Sequence, residues 1–98
     1  MAQDEKPKVP GRIQLQIDEA VAKGAYSNAV VISHSEFEVT LDFAFVHAAP
    51  PRAKVEARVI LAPKQAKSLL RTLAENLRKY EERFGEIPSP SGEEPLLH

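Results

Sequence analysis

The stretch PKQAKSLLRTLAENLRKYEERFG, residues 63–85, decides the fold of this 98-residue chain. Its apolar residues fall at Ala66, Leu70, Leu73, Leu77, Tyr80 and Phe84. Steps of four and three alternate between them, which is the spacing of a heptad seam. Pro63 suits the first helical turn, where its missing N–H has no partner to lose. Gly85 suits the left-handed residue just past a helix end, and Pro88 blocks continuation. The spacing therefore predicts one helix over 63–84 with a stripe that must be covered. A seam of this length is ordinarily a helix lying on its own sheet, and less often an intermolecular coil.

The residues before the helix alternate with a period of two. Ile13, Leu15 and Ile17 alternate with polar neighbours, the pattern of a half-buried strand. Residues 19–24 read as either one helical turn or a loop closed by Gly24. Residues 26–33 (YSNAVVIS) predict a strand with Tyr26, Asn28, Val30 and Ile32 on one face and the smaller Ser27, Ala29, Val31 and Ser33 on the other. Residues 37–46 predict a third strand, with Phe37, Val39, Leu41, Phe43 and Phe45 on its apolar side. Residues 54–61 predict a last one, with Val55, Ala57, Val59 and Leu61 together. Short connections make these neighbours antiparallel. A loop symmetric about Pro50 sets Asp42 opposite Arg58, Leu41 opposite Val59 and Val39 opposite Leu61. The expected fold is α+β: an antiparallel meander of three to four strands followed by one long C-terminal helix packed on one sheet face. Residues 12–87 form this single domain, 1–11 are expected to be a disordered arm and 88–98 a disordered tail.

Composition narrows the function classes. There is no cysteine, so neither disulfides nor thiolate metal sites are available. The start of the chain lacks the apolar run of a signal peptide and no stretch is long enough to span a bilayer, so a soluble cytoplasmic protein without membrane partners is expected. Net charge is −1, but residues 12–51 carry two basic and five acidic groups while 52–83 carry nine basic and four acidic ones. Lys64, Lys67, Arg71 and Arg78 lie on roughly one helix face and are the candidate contact for an anionic partner. Interleaved glutamates weaken that field, and no aromatic residue accompanies it to stack on bases, so a solvated helix face is favoured over nucleic-acid binding.

Chemistry is hard to find. His34 sits at a hairpin and His47 at the far end of the next strand, so antiparallel pairing holds them apart. Ser33, His34 and Ser35 are adjacent, and strand neighbours point to opposite faces. The four glycines are isolated and form no phosphate loop. No catalytic residue, cofactor site or metal site is expected, and the chain is read as a non-enzyme. A sheet covered by one helix leaves a second face bare, which points to a homodimer or larger assembly, with another protein as a further partner. Tyr26, Asn28, Ala29 and Val31 are the candidate interface residues. Asn28, a polar residue on an otherwise apolar face, is read first as ending the strand and satisfying nearby backbone groups, and otherwise as a polar contact at an interface or pocket.

The runs AYSNAVVISHSEFEVTLDF and RVILAPKQAKSLLRTLAENLRKYEERFG resemble a family of short prokaryotic proteins of unknown function. The shared pattern is Tyr26-Ser27-Asn28, His34-Ser35-Glu36-Phe37, Leu41-Asp42-Phe43, Arg58 to Pro63, and Asn76 to Gly85, spanning residues 25–87. The resemblance brings no reaction with it. A looser likeness, in the order of strands and helix alone, is to the SecB-type export chaperones, which implies a holdase for unfolded chains as an alternative function.

Members of the resembled family often have serine or threonine where this chain has Ala62, the residue that precedes the helix. Alanine offers no oxygen to the free N–H groups of the first turn. Ala62→Ser is expected to raise stability by about 1 kcal/mol, read as a higher melting temperature; an unchanged or lower value would place the helix start elsewhere.

Overall fold

The computed structural model describes residues 13–88. The chain runs through α1 (Glu19–Ala22), β1 (Ala29–His34), β2 (Val39–Ala48), β3 (Pro51–Leu61) and α2 (Pro63–Phe84). The strands form one antiparallel sheet in the order β1-β2-β3, and the long helix follows, so the class is α+β. The arm expected at 1–11, and all of the expected tail beyond Pro88, lie outside the described residues.

Alternation along β2 sets the two faces. On the front, Val39, Leu41 and Phe43 stand opposite Leu61, Val59 and Ala57 of β3, while Ile32 and Val30 of β1 flank Leu41 and Phe43. On the back, Asp42 and Ala44 meet Val31 and Ala29. The three pairings expected across the β2–β3 hairpin all form, by a different route from a symmetric loop. The strands continue to Ala48 and Pro51, leaving Ala49 and a cis Pro50 as the turn. The ladder then shifts between Phe43 and Ala44, where Glu56 is the extra residue of a bulge in β3. Shorter loop and extra residue cancel, so the register beyond the bulge is the expected one. A one-residue shift exchanges faces, and Val55 consequently pairs with Ala44 on the back. It does not join Ala57, Val59 and Leu61 as strict alternation predicts.

Two further expectations need correction. Ile13, Leu15 and Ile17 are more than half exposed and belong to no strand. Their alternation marks a segment able to lie on a sheet edge, but a strand needs a neighbour's N–H and C=O groups, and neither edge of this sheet takes the segment up. The turn that follows them is the helical alternative, α1, after which Gly24 adopts a positive φ of 79°. Phe37 is in the β1–β2 loop, 74 % exposed, and not on the apolar face. Ser35 organises that loop: its N–H donates to the Glu38 carbonyl at 2.9 Å and its Oγ accepts from the N–H groups of Phe37 and Glu38.

Helix α2 has the expected limits. Ala62 caps nothing with its side chain, and Gly85, at φ 103°, donates its N–H to the Glu81 carbonyl. The burial expected of its seam is not reached. Residues between Gln65 and Leu73 share a cleft with the front face, yet Leu70 is 65 % and Phe84 66 % exposed. One residue, Ala62, joins β3 to α2, and the helix, about 33 Å long, shares the cleft with the sheet along its first half. Among the described residues only Leu41, Asp42 and Ala44, all on β2, are buried. The radius of gyration, 15.9 Å, exceeds the roughly 12 Å of a compact domain of this length.

Asp42 is the one charged group among the three. Its carboxylate takes a bidentate pair from Arg58, Nε to Oδ1 at 2.7 Å and Nη2 to Oδ2 at 2.9 Å. That hydrogen bonding holds the Asp42 carboxyl below its ordinary pKa, against the opposing effect of burial. A carboxylate depressed in the folded state stabilises the fold above its unfolded pKa, and the contribution is lost as pH falls through the folded value. Asp42→Asn removes it. The stability gap between wild type and variant should therefore be largest near neutrality and narrow below about pH 4, as followed by denaturant melts across pH; a gap independent of pH would mean the ion pair contributes nothing.

Candidate functional site

The cleft between the front face and the first half of α2 has the size and character of a contact site. One part, about 470 Å³, lies between Phe43, Val59 and Leu61 of the sheet and Gln65, Leu69 and Thr72 of the helix. A second part, about 270 Å³, lies between Ile32 and Val39 on the sheet and Ala66, Leu70 and Leu73 on the helix. Leu41 and Leu69 border both. Leu69 falls one residue outside the heptad stripe, which is why the spacing alone passes over it. It lies on the helix face that the sheet meets, one residue round from Leu70 on the seam. Beyond the cleft, the front face carries a row of rings. Phe45 meets Tyr26 edge-on at 5.9 Å and His47 edge-on at 4.6 Å.

The four expected interface residues do not form one patch. Tyr26 stands on the front, against Phe45. Ala29 and Val31 are half-buried on the back, beside Ala44 and Asp42. Asn28 lies between them at the end of β1 and does a structural job there. Its backbone N–H donates to the Ala44 carbonyl, its Oδ1 accepts from the Val46 N–H at 2.8 Å, and its Nδ2 donates to the Val46 carbonyl at 3.3 Å. The side-chain amide thus stands in for a peptide group and carries the ladder one step past the strand. Ser27 adds to this join, its hydroxyl donating to the carbonyls of Ala29 and Ala44. This is the strand-end role expected of Asn28, with the Val46 peptide as its backbone partner.

The basic residues divide similarly. Lys64, Lys67 and Arg71 line one shallow depression with Ser68. Arg78 is not part of it. Its guanidinium bonds Glu75 and Glu82, and this pairing depresses the Glu75 carboxyl. Arg78 and Glu82 are four residues apart on the helix, and Glu75 and Arg78 three. His34 pairs with Val39 at the start of β2 while His47 lies near its end. Among the described residues no three histidines, aspartates or glutamates gather as a metal site would require, and no helix is long and apolar enough to cross a membrane.

Residues 1–89 match the profile of a family described as protein of unknown function (DUF3467). The match extends past both ends of the pattern at 25–87. No curated protein and no solved structure matches the chain.

The role of Asn28 can be tested directly. Asn28→Ala should cost about 1 kcal/mol, the net worth of its exposed hydrogen bonds to Val46, measured by denaturant unfolding. Asn28→Asp should fail to restore it, because a carboxylate oxygen cannot donate to the Val46 carbonyl. Full stability in the aspartate variant would show that the donor bond is dispensable.

Proposed function

This chain belongs to the DUF3467 family of proteins of unknown function, and from that premise we propose that it is a cytoplasmic, non-catalytic protein-interaction module that works as a homo-oligomer. The observation that supports the reading is the imbalance of burial. Eighteen large apolar residues of the described chain are at least 37 % exposed, against two apolar residues, Leu41 and Ala44, that are buried. Single exposed leucines are ordinary on a protein surface. Here four of them, Ile32, Leu69, Leu70 and Leu73, line one cleft, and contiguous apolar surface of that kind marks a protein contact. A single copy with two buried apolar side chains has too little burial to offset the entropy of ordering its backbone. A second copy of the chain supplies complementary apolar surface without requiring any other molecule. The back of β1, around Ala29 and Val31, is the first contact region in this reading.

A holdase of the SecB type is the second reading, favoured by the same cleft, which is open and has few polar groups among its lining residues. Binding of nucleic acid through Lys64, Lys67 and Arg71 is the third, and it is weakened because Arg78 already serves two glutamates.

Light scattering coupled to size exclusion tests the first reading, with absorbance followed at two ultraviolet wavelengths. The protein has two tyrosines and no tryptophan, so carried-over nucleic acid is easily seen. A dimer or larger species free of nucleic acid is the expected result, and a monomer would remove the reading. Val31→Lys, which sets an ammonium beside Asp42 in place of a methyl pair, should lower the mass, and the far-ultraviolet helical signal should fall with it as the chain is diluted. An unchanged mass would take β1 out of the interface. Suppression of a model substrate's aggregation at stoichiometric ratio would move the weight to the holdase.

A further inference from the structure

We propose that two copies of the chain pair through α2, antiparallel, about a two-fold axis at the level of Glu75. This rests on the homo-oligomeric reading and adds to it a second, defined contact surface. The seam residues are symmetric about position 75. An antiparallel partner in that register places Ala66 against the partner's Phe84, Leu70 against the partner's Tyr80, and Leu73 against the partner's Leu77. Small side chains thus meet large ones at both ends of the pair, and two leucines meet near its centre. Such layers are what knobs-into-holes packing requires.

The free copy leaves this seam open. Leu70, Leu73, Leu77, Tyr80 and Phe84 are all at least 44 % exposed, while the charges of the outer helix face already satisfy one another through Glu75, Arg78 and Glu82. Ala66, Leu70 and Leu73 also wall the smaller part of the cleft with Ile32 and Val39. The rings of the partner's Tyr80 and Phe84 would therefore enter at its mouth, so that the half of each helix that overhangs its own sheet is covered by the other copy.

Charge selects the direction. Residues 63–74 carry Lys64, Lys67 and Arg71 and no carboxylate, whereas residues 75–86 carry four glutamates and three cations. Lys64 and Arg71 share the outward heptad position of Arg78, so Lys67 is the cation of this half that flanks the seam. Parallel pairing sets Lys67 level with the partner's Lys67, whereas antiparallel pairing sets it beside the partner's Glu81 and also opposes the two helix dipoles favourably. At the flanking positions nearest the axis, Ala74 meets the partner's Ala74 and Asn76 the partner's Asn76, two small or polar pairs that admit close approach.

Single cysteines in the cysteine-free chain read the register. In an antiparallel pair the two copies of residue 74 are offset by about 3 Å along the axis, and the two copies of residue 67 by about 24 Å. The full-length Ala74→Cys protein should be joined to a covalent dimer by a short bis-maleimide under native conditions and not after denaturation, and Lys67→Cys should not be joined. Linking at both positions means parallel helices and overturns the proposal. Linking at neither, or at Lys67→Cys alone, while light scattering still gives an oligomer, overturns this pairing and leaves the homo-oligomeric reading standing. A monomeric wild type overturns both.

Discussion

The backbone ladder of β2 is the interaction on which everything else in this fold depends. Among the described residues β2 is the strand with partners on both sides, and it carries the three that are buried. Its backbone groups are paired by β3 along its length and by β1 over Val39–Ala44, with Asn28 extending that second edge to Val46. Its front face then holds the residues over which α2 stands, and its back face holds Asp42, whose burial requires the guanidinium of Arg58 directly across the ladder. A buried carboxylate without such a donor would be costly. The bidentate pair therefore does two things at once: it permits the charge and it fixes the β2–β3 register, since a slip of one residue would carry Arg58 to the other face.

What was legible in the sequence follows from which signals are local. The limits of α2 come from Pro63 and Gly85, whose backbone preferences act within one turn, and they are found where those residues place them. The pairings of Asp42 with Arg58 and of Leu41 with Val59 come from hairpin geometry, also local. The failures are of another kind. Ile13, Leu15 and Ile17 have the alternation of a strand, but alternation describes only what a segment could pack against, and pairing is decided by whether an edge is offered. Glu56 carries no mark of a bulge, because a bulge is a compromise between two strands and neither sequence contains it alone. Phe37 is exposed because Ser35 turns the chain with its own hydroxyl, and the reading of 37–46 as one alternating run overlooked that acceptor.

The expected contact residues show the same division. Tyr26, Asn28, Ala29 and Val31 are expected at an interface because the 26–33 strand is apolar on both of its sides. In space they fall on two faces with Asn28 between them, and the polarity of Asn28 is spent on Val46. Its presence on an apolar face is thus explained without a ligand. Leu69, by contrast, attracts no notice in the heptad reading and yet borders both parts of the cleft. A heptad stripe marks the centre of a helix's apolar surface and not its width. The seam residues Ala66, Leu70 and Leu73 share the cleft with the sheet, and Leu69 widens the apolar surface beside them. The same stretch thus belongs both to the seam and to the sheet contact.

That doubling bears on how the chain reaches stability. A helix has about 3.6 residues per turn, so one stripe cannot serve a sheet and a second helix unless the apolar surface is wide. In α2 it is wide only in the first half, where Leu69 and Leu70 are adjacent and Ala66 makes room beside them. In the second half the seam persists through Leu77, Tyr80 and Phe84, and among the described residues none of these three lines the cleft with the sheet. The helix is built, in other words, with one half suited to its own sheet and its whole length suited to something elongated. If a second copy is that partner, the interior that one copy lacks is completed in the pair, and folding and assembly become one equilibrium in which stability depends on the concentration of the chain itself.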